Sequence, residues 1–149
     1  MHPFSIRDAL LAKHAQHVVL IHFPIALFLT GVAFDFIAQL TKRNALAAAA
    51  YYNFIVAAIS TPAVVATGLL AWHFQLEGQK LKGILLDHLV LGVTSSAAIC
   101  FVAYIHIRSR RAQGTPLPTY RLPLEFAAVA LVALTGHLGG FLSGVNIPS

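Results

Sequence analysis

Five histidines stand near the ends of long apolar stretches, where water would give way to hydrocarbon: His17, His22, His73, His88 and His137. An imidazole in such a low-dielectric environment is stable when it is hydrogen-bonded or bound to a metal ion, because an unpaired polar group there costs several kcal/mol. Haem iron takes axial histidine ligands, and copper and zinc also bind imidazole. These residue types favour a haem or metal site. The alternative is a set of histidines that only form hydrogen bonds between helices or lie at the membrane rim.

The composition indicates that these histidines are positioned by membrane-spanning helices. Of the 149 residues, 58% are hydrophobic and 10% are charged, and the mean hydropathy is +0.76. Each of four apolar runs reaches the roughly 20 residues that a helix needs to cross about 30 Å of hydrocarbon: 18–40, 45–73, 84–107 and 122–142. Alternation of period two is absent, which argues against a barrel. We therefore predict an all-α fold, an integral membrane four-helix bundle that forms a single domain over residues 1–149.

The segment before the first run predicts a further, short helix on the membrane surface. Residues 5–16 carry Ser5 and Asp8 at the spacing of a capping box and place apolar residues on one side. Pro24 is best accommodated in the first turn of a helix. We therefore expect the first span to begin near Ile21, after a break that separates it from the surface helix.

The basic residues of the loops predict the orientation of the bundle. Six lie on one side, Lys42, Arg43, Arg108, Arg110, Arg111 and Arg121, and four on the other, Arg7, Lys13, Lys80 and Lys82. The positive-inside rule then predicts a multi-pass protein with the 41–44 turn and the 108–121 loop in the cytoplasm and both termini on the outer side of the membrane. The net charge of +5 is explained by these loops. Because no aromatic residues are interleaved with them, nucleic-acid binding is not expected.

The depth of each histidine within its run indicates which of them could share one site. With a rise of 1.5 Å per residue, His22 and His88 each lie about 6 Å inside their spans, and His137 lies about 7 Å from the end of its span. The first and third spans are diagonal in an up-down bundle. His22 and His88 are therefore predicted to bind an iron from opposite faces, with His137 as the substitute ligand. His17 and His73 are candidates for a second haem or for hydrogen bonds to haem propionates.

Glycines accompany two of these histidines. Gly92 lies one turn from His88 on the same face of its span, and three glycines surround His137: Gly136, Gly139 and Gly140. Gaps of this kind, at Gly92 and Gly136 in particular, would let a flat macrocycle approach the backbone. Close helix packing is the alternative explanation for them.

A second polar layer is predicted near the other side of the membrane: Asp35, Asn53, His106 and Glu125. Buried acids in lipid are costly and usually face the bundle. Asp35 and Glu125 are therefore candidates for a proton or quinone site. The alternative is an internal hydrogen-bonded plug that fixes the register of the helices.

Four sequence blocks resemble a bacterial four-span membrane family long catalogued only as a domain of unknown function: His17-x4-His22-Phe-Pro-Ile-Ala-Leu, Thr67-Gly-Leu-Leu-Ala-Trp72, Asp87-His88-Leu and Gly136-His137-Leu-Gly-Gly140. The resemblance covers nearly the whole chain, although Val18 stands where that family commonly has proline and Ala71 where it commonly has an acid. Members of the family are often encoded with, or fused to, Rieske and cytochrome c modules. The resemblance therefore implies electron transfer with b-type haem.

These observations lead to one interpretation and two alternatives. The interpretation is a membrane electron-transfer protein, not a stand-alone enzyme, that binds one haem b, or two, near the outer membrane face. Its expected partners are a separate cytochrome c or Rieske-type redox protein, other membrane subunits and lipid, with a homodimer or a larger complex as the assembly. One alternative is a copper or zinc protein that uses His22, His88 and His137. The other is a non-catalytic structural subunit of a respiratory or photosynthetic complex.

Overall fold

The computed structural model describes residues 13–112 and 116–144 of the chain. Within these ranges the chain forms four helices and no strand: α1 (Lys13–Thr41), α2 (Asn44–Gln75), α3 (Ile84–Arg111) and α4 (Arg121–Leu142). All four are long and apolar enough to cross a membrane. The prediction of an all-helical four-span bundle is therefore confirmed.

Successive helices run in opposite directions, so the bundle consists of two hairpins, α1 with α2 and α3 with α4. The first hairpin closes over two residues, Lys42 and Arg43. Lys42 adopts a positive φ of 58° and donates its backbone N–H to the Ala38 carbonyl at 2.8 Å. This topology gathers five histidines at one end, called here the histidine end: His17, His22, His73, His88 and His137. The Lys42 turn and the C-terminal arginines of α3 lie at the other, called the basic end.

The start of α1 differs from the prediction. Residues 5–12 of the expected surface helix lie outside the described residues, and from Lys13 onward the helix is continuous. Pro24 therefore lies inside α1 and not in its first turn, and the break expected near Ile21 is not observed. Proline inside a spanning helix is tolerated in membranes, because neighbouring groups satisfy the backbone that it leaves unbonded.

The second internal proline shows how such a backbone group is satisfied. Pro62 lies inside α2 and has no N–H to donate to the Ala58 carbonyl four residues before it. The Thr61 hydroxyl donates to that carbonyl at 2.8 Å, and the Cys100 thiol of α3 approaches the same oxygen at 4.0 Å. The proline is therefore compatible with an unbroken α2.

The apolar core lies between the middle of the bundle and the basic end, a region called here the basic half. All four helices contribute to it, and Phe28 packs on Phe54 with ring centroids 5.6 Å apart. The buried members of the core are Phe28, Val32, Ala50, Phe54, Ala57, Ile99, Val102, Ala103, Ala128 and Val132. The remaining part of the bundle, the histidine half, contributes no described residue to this core. There an apolar cavity of about 480 Å³ opens between α2 and α3.

Candidate functional site

His17 lies on the face of α1 that points into the bundle. The buried positions of α1 include Pro24, Phe28, Val32 and Asp35, and His17 lies two turns before Pro24 on the same side. Its side chain is half-buried. The histidine that follows five residues later is rotated by about 140° around the helix and points elsewhere.

The His17 ring is held by α2 of the same hairpin. Its Nδ1 lies 3.2 Å from the Thr67 hydroxyl, and that hydroxyl donates its hydrogen to the Val64 carbonyl at 3.0 Å. Nδ1 is therefore the donor, and in the neutral ring the lone pair is on Nε2. The ring lies against Gly68, where an added Cβ would come within 3.0 Å of His17 Cε1.

His88 repeats this arrangement in the second hairpin. It is half-buried on the inward face of α3, two turns before buried Ser95. Its Nδ1 donates to the Thr135 backbone carbonyl at 3.1 Å, which again leaves the lone pair on Nε2. The ring lies against Gly139, where an added Cβ would come within 3.2 Å of His88 Cε1. Each hairpin thus holds one inward histidine between a threonine and a glycine of its second helix.

Three other histidines at the histidine end have side chains exposed on the surface of the bundle: His22, His73 and His137. His22 Nδ1 donates to the Val18 carbonyl of its own helix at 2.6 Å. His73 and His137 contact the edges of Phe74 and Phe141, with centroids 4.8 and 5.0 Å apart.

The predicted set of His22, His88 and His137 thus combines one half-buried side chain with two exposed ones. Within the described ranges, these three do not form a group whose ligand atoms lie within 4.8 Å of one another. The prediction used depth along each span, whereas convergence also depends on the direction in which each side chain leaves its helix.

The glycines named from the sequence, Gly92 and Gly136, have open space or only an ordinary contact beside their backbone. A Cβ on Gly92 would find Thr135 Cγ2 at 3.8 Å, an ordinary contact, and a Cβ on Gly136 would find nothing within 4 Å. The glycines that lie against imidazole rings are Gly68 and Gly139.

A spacing of eighteen residues relates the inward histidines to the second polar layer. Asp35 follows His17 by eighteen residues, and His106 follows His88 by the same number. Eighteen residues are five helical turns, so each pair lies on one face of its helix, about 27 Å apart along the axis. A carboxylate oxygen of Asp35 and a ring nitrogen of His106 lie within 4.8 Å of each other. His17 and His88 therefore lie at about the same height on α1 and α3, each on the helix face that also carries Asp35 or His106.

The second polar layer is buried and internally bonded. Arg121 donates from Nε to Asp35 Oδ2 at 2.8 Å and from its terminal nitrogen to Gln39 Oε1 at 2.9 Å. His106 Nε2 lies 2.9 Å from Glu125 Oε1. Asp35, His106 and Glu125 are only 1%, 4% and 0% exposed. Arg121, which the sequence suggested as an orientation charge, is thus part of an ion pair between α1 and α4.

One ligand atom from each of Asp35, His106 and Glu125 lies within 4.8 Å of the others. This group, called here the acid–histidine cluster, could hold a metal ion. Asn53, which the sequence placed in the same layer, instead donates to the Ala49 carbonyl of its own helix at 2.9 Å. His106 is already part of the layer predicted from the sequence, and the equal spacing from His17 to Asp35 and from His88 to His106 is the sequence signal that indicates its pairing with Asp35.

Glu125 also carries an unsatisfied atom. Its Oε2 is buried and has no hydrogen-bond partner among the residues that the structure describes. Beside the cluster, a cavity of about 530 Å³ at the basic end is lined in part by His106, Tyr51 and Ser109. The cluster is therefore adjacent to space that a small ligand can enter.

Comparison with known proteins gives a match to a family model. The family described as "Predicted membrane protein (DUF2231)" matches residues 13–145, which include all four helices and both polar layers. No curated protein and no solved structure matches the chain.

Proposed function

This chain belongs to the DUF2231 family of predicted membrane proteins, and we propose that its bundle binds haem b between α1 and α3 through His17 and His88 and transfers electrons. The observation that carries the proposal is the matched pair of inward imidazoles at one level on diagonal helices. His22, predicted as an axial ligand, and His137, its substitute, are replaced in this role because their side chains are exposed.

The tautomers of both rings support iron binding. In each ring Nδ1 donates to an oxygen of the neighbouring helix, the Thr67 hydroxyl for His17 and the Thr135 carbonyl for His88. Histidines that bind metal through one nitrogen commonly donate from the other in this way, which fixes the orientation of the ring. Thr67 and Thr135 would thus position the ligands without touching the iron.

The packing around the rings supports the same site. Gly68 and Gly139 allow the imidazoles to lie against the helix backbone, and the core does not extend into the space between the two hairpins at this end. Bundles of this kind build cofactor sites from inward side chains on facing helices.

When bound, the haem would supply a one-electron couple, and two histidine ligands would leave no open coordination position. The protein would then act in electron transfer and not as a stand-alone enzyme. Lys80 and Lys82, exposed in the loop between α2 and α3 at the histidine end, could pair with carboxylates of the haem or of a partner.

The asymmetry of the basic residues supports the orientation proposed for this bundle. We place the histidine end at the periplasmic face of a bacterial inner membrane. The electron partner would be a separate cytochrome c or Rieske-type protein that approaches this face.

The test compares four single alanine variants at the histidine end. The protein is expressed with ample haem supply, purified in detergent and assayed by its reduced-minus-oxidised spectrum and haem content. We expect the spectrum to be lost in His17→Ala and His88→Ala and retained in the matched controls His22→Ala and His137→Ala. Circular dichroism verifies that each variant is folded.

A second measurement separates ligand loss from local misfolding. In His17→Gly and His88→Gly, added imidazole should restore the Soret band, because it can enter the space that the ring has left. A colourless wild-type protein would overturn the proposal. So would loss of haem in the His22 and His137 variants with retention in the other two.

A further inference from the structure

We infer that the acid–histidine cluster of Asp35, His106 and Glu125 binds a divalent transition-metal ion of the Zn²⁺ class. This site lies in the basic half, about five helical turns from the proposed haem site. It does not depend on the haem, because its residues and their contacts belong to the other polar layer.

The charges in and around the cluster do not sum to zero. Two carboxylates and the Arg121 guanidinium, with a neutral His106, sum to one negative charge in a buried environment. A net charge is costly there. A proton on the bond between His106 Nε2 and Glu125 Oε1 would remove the net charge, so charge alone does not distinguish a proton from a metal ion.

The unsatisfied Oε2 of Glu125 favours a metal ion over a proton. A proton on the His106–Glu125 bond still leaves Glu125 Oε2 buried without a partner among the described residues. An unpaired buried carboxylate oxygen costs about 1–3 kcal/mol or more. A metal ion between the three side chains would bond a Glu125 oxygen directly, and it would replace the proton on the His106–Glu125 bond, which is released.

The donor set selects the class of ion. One imidazole nitrogen with two carboxylate oxygens suits Zn²⁺ and related transition ions better than Na⁺ or Mg²⁺, which prefer oxygen alone. Zn²⁺ bonds of about 2.0–2.2 Å place ligand atoms roughly 3.4 Å apart. The three atoms already lie within 4.8 Å of one another, so small side-chain rotations would close the site.

The adjacent cavity reaches the cluster at His106, whereas Asp35 and Glu125 do not line it. His106 lines this cavity of about 530 Å³ at the basic end, and the Arg110 guanidinium at its wall stacks on the Tyr51 ring at 4.3 Å. Zinc sites with three protein ligands usually take water as the fourth. A hydroxide in that position would bring the charge of the whole cluster to zero.

The experiment measures zinc affinity in a background without the exposed imidazoles. In this background His22, His73 and His137 are replaced by glutamine, and the purified protein is titrated with Zn²⁺ against a fluorescent chelator. We expect one tight site, weakened at least about 100-fold by Glu125→Gln and by His106→Gln, since removal even of outer partners costs 10–100-fold. Glu77→Gln, at an exposed acid, is the matched control and should bind as the background protein does.

Two further measurements make the result decisive. X-ray absorption of the zinc-loaded protein should show a single imidazole among nitrogen and oxygen ligands and no sulfur, which does not require any cluster variant to fold. His17→Ala and His88→Ala should keep full zinc affinity, so that loss of haem and loss of zinc are distinguishable.

The inference is overturned if the background protein retains no zinc or if Glu125→Gln binds it unchanged. It is also overturned if infrared spectra of the zinc-exposed protein show a protonated carboxyl band that disappears in Glu125→Gln. That last result would assign the cluster to a proton.

Discussion

The two halves of the bundle hold their polar groups in different ways. In the basic half the helices meet in a shared core, and the Asp35–Arg121 ion pair joins the two hairpins from α1 to α4, while His106 of α3 pairs with Glu125 of α4 within the second hairpin. In the histidine half each inward imidazole is hydrogen-bonded to the second helix of its own hairpin. The difference indicates that the basic half fixes the arrangement of the hairpins, whereas the histidine half is where the proposed function would place a cofactor.

The largest loss of stability is expected when one partner of an ion pair in the basic half is removed. Asp35→Ala leaves the Arg121 guanidinium largely buried and uncompensated, and we expect a loss of about 3–5 kcal/mol in the free energy of unfolding. Unfolding in mixed detergent with increasing SDS measures it. Gln39→Ala removes an exposed partner of the same guanidinium and should cost less than about 1 kcal/mol. Equal losses in the two variants would show that the buried pair does not hold the hairpins together.

A smaller effect is expected from added volume, and it too should differ between the halves. A Cβ at Gly31 would lie 2.8 Å from Cε1 of Phe54, which is fully buried, so Gly31→Ala should destabilise the protein by about 1–3 kcal/mol. Gly136→Ala is the matched change in the histidine half. Its Cβ would meet nothing within 4 Å, and alanine favours the helix, so stability should be unchanged or slightly higher. The same SDS titration compares them, and a loss at Gly136 would contradict loose packing there.

The smallest effect on stability is expected at the glycines beneath the inward imidazoles. Gly68→Ala and Gly139→Ala place a Cβ 3.0 and 3.2 Å from the rings of His17 and His88, and each ring can shift by a few tenths of an ångström. We expect the free energy of unfolding to fall by less than about 1 kcal/mol. The haem affinity should fall five- to tenfold, which corresponds to about 1.0–1.4 kcal/mol. Haem titration of the apoprotein measures this, with Gly136→Ala as control. Unchanged haem affinity in both variants would place the cofactor elsewhere.

The spans could be predicted from the sequence because lipid imposes one simple requirement, a long apolar segment with all its backbone bonded internally. The continuation of α1 through Pro24 could not be predicted from the sequence. The expected break rested on the energetic cost of a proline inside a helix in water. In the bundle, other groups compensate such a residue, as Thr61 and Cys100 do at the Ala58 carbonyl beside Pro62.

The site was harder to predict, because hydropathy gives the depth of a residue but not its direction around the helix. His22 and His88 have similar depths, yet one side chain is exposed and the other turns toward α4. In one place the sequence does indicate the direction of side chains around their helices. This is the eighteen-residue spacing shared by His17 with Asp35 and by His88 with His106. The pairing of Arg121 with Asp35 had no such local signal, since the two residues come from the first and last helices.

The five turns between the two polar layers also set how strongly they can influence each other. Two unit charges about 27 Å apart interact by roughly 0.6 kcal/mol at an effective dielectric constant of 20. A charge gained at one layer would then alter an equilibrium at the other by about a factor of three. The bundle is thus built as two nearly independent electrostatic compartments, which one chain holds about five helical turns apart.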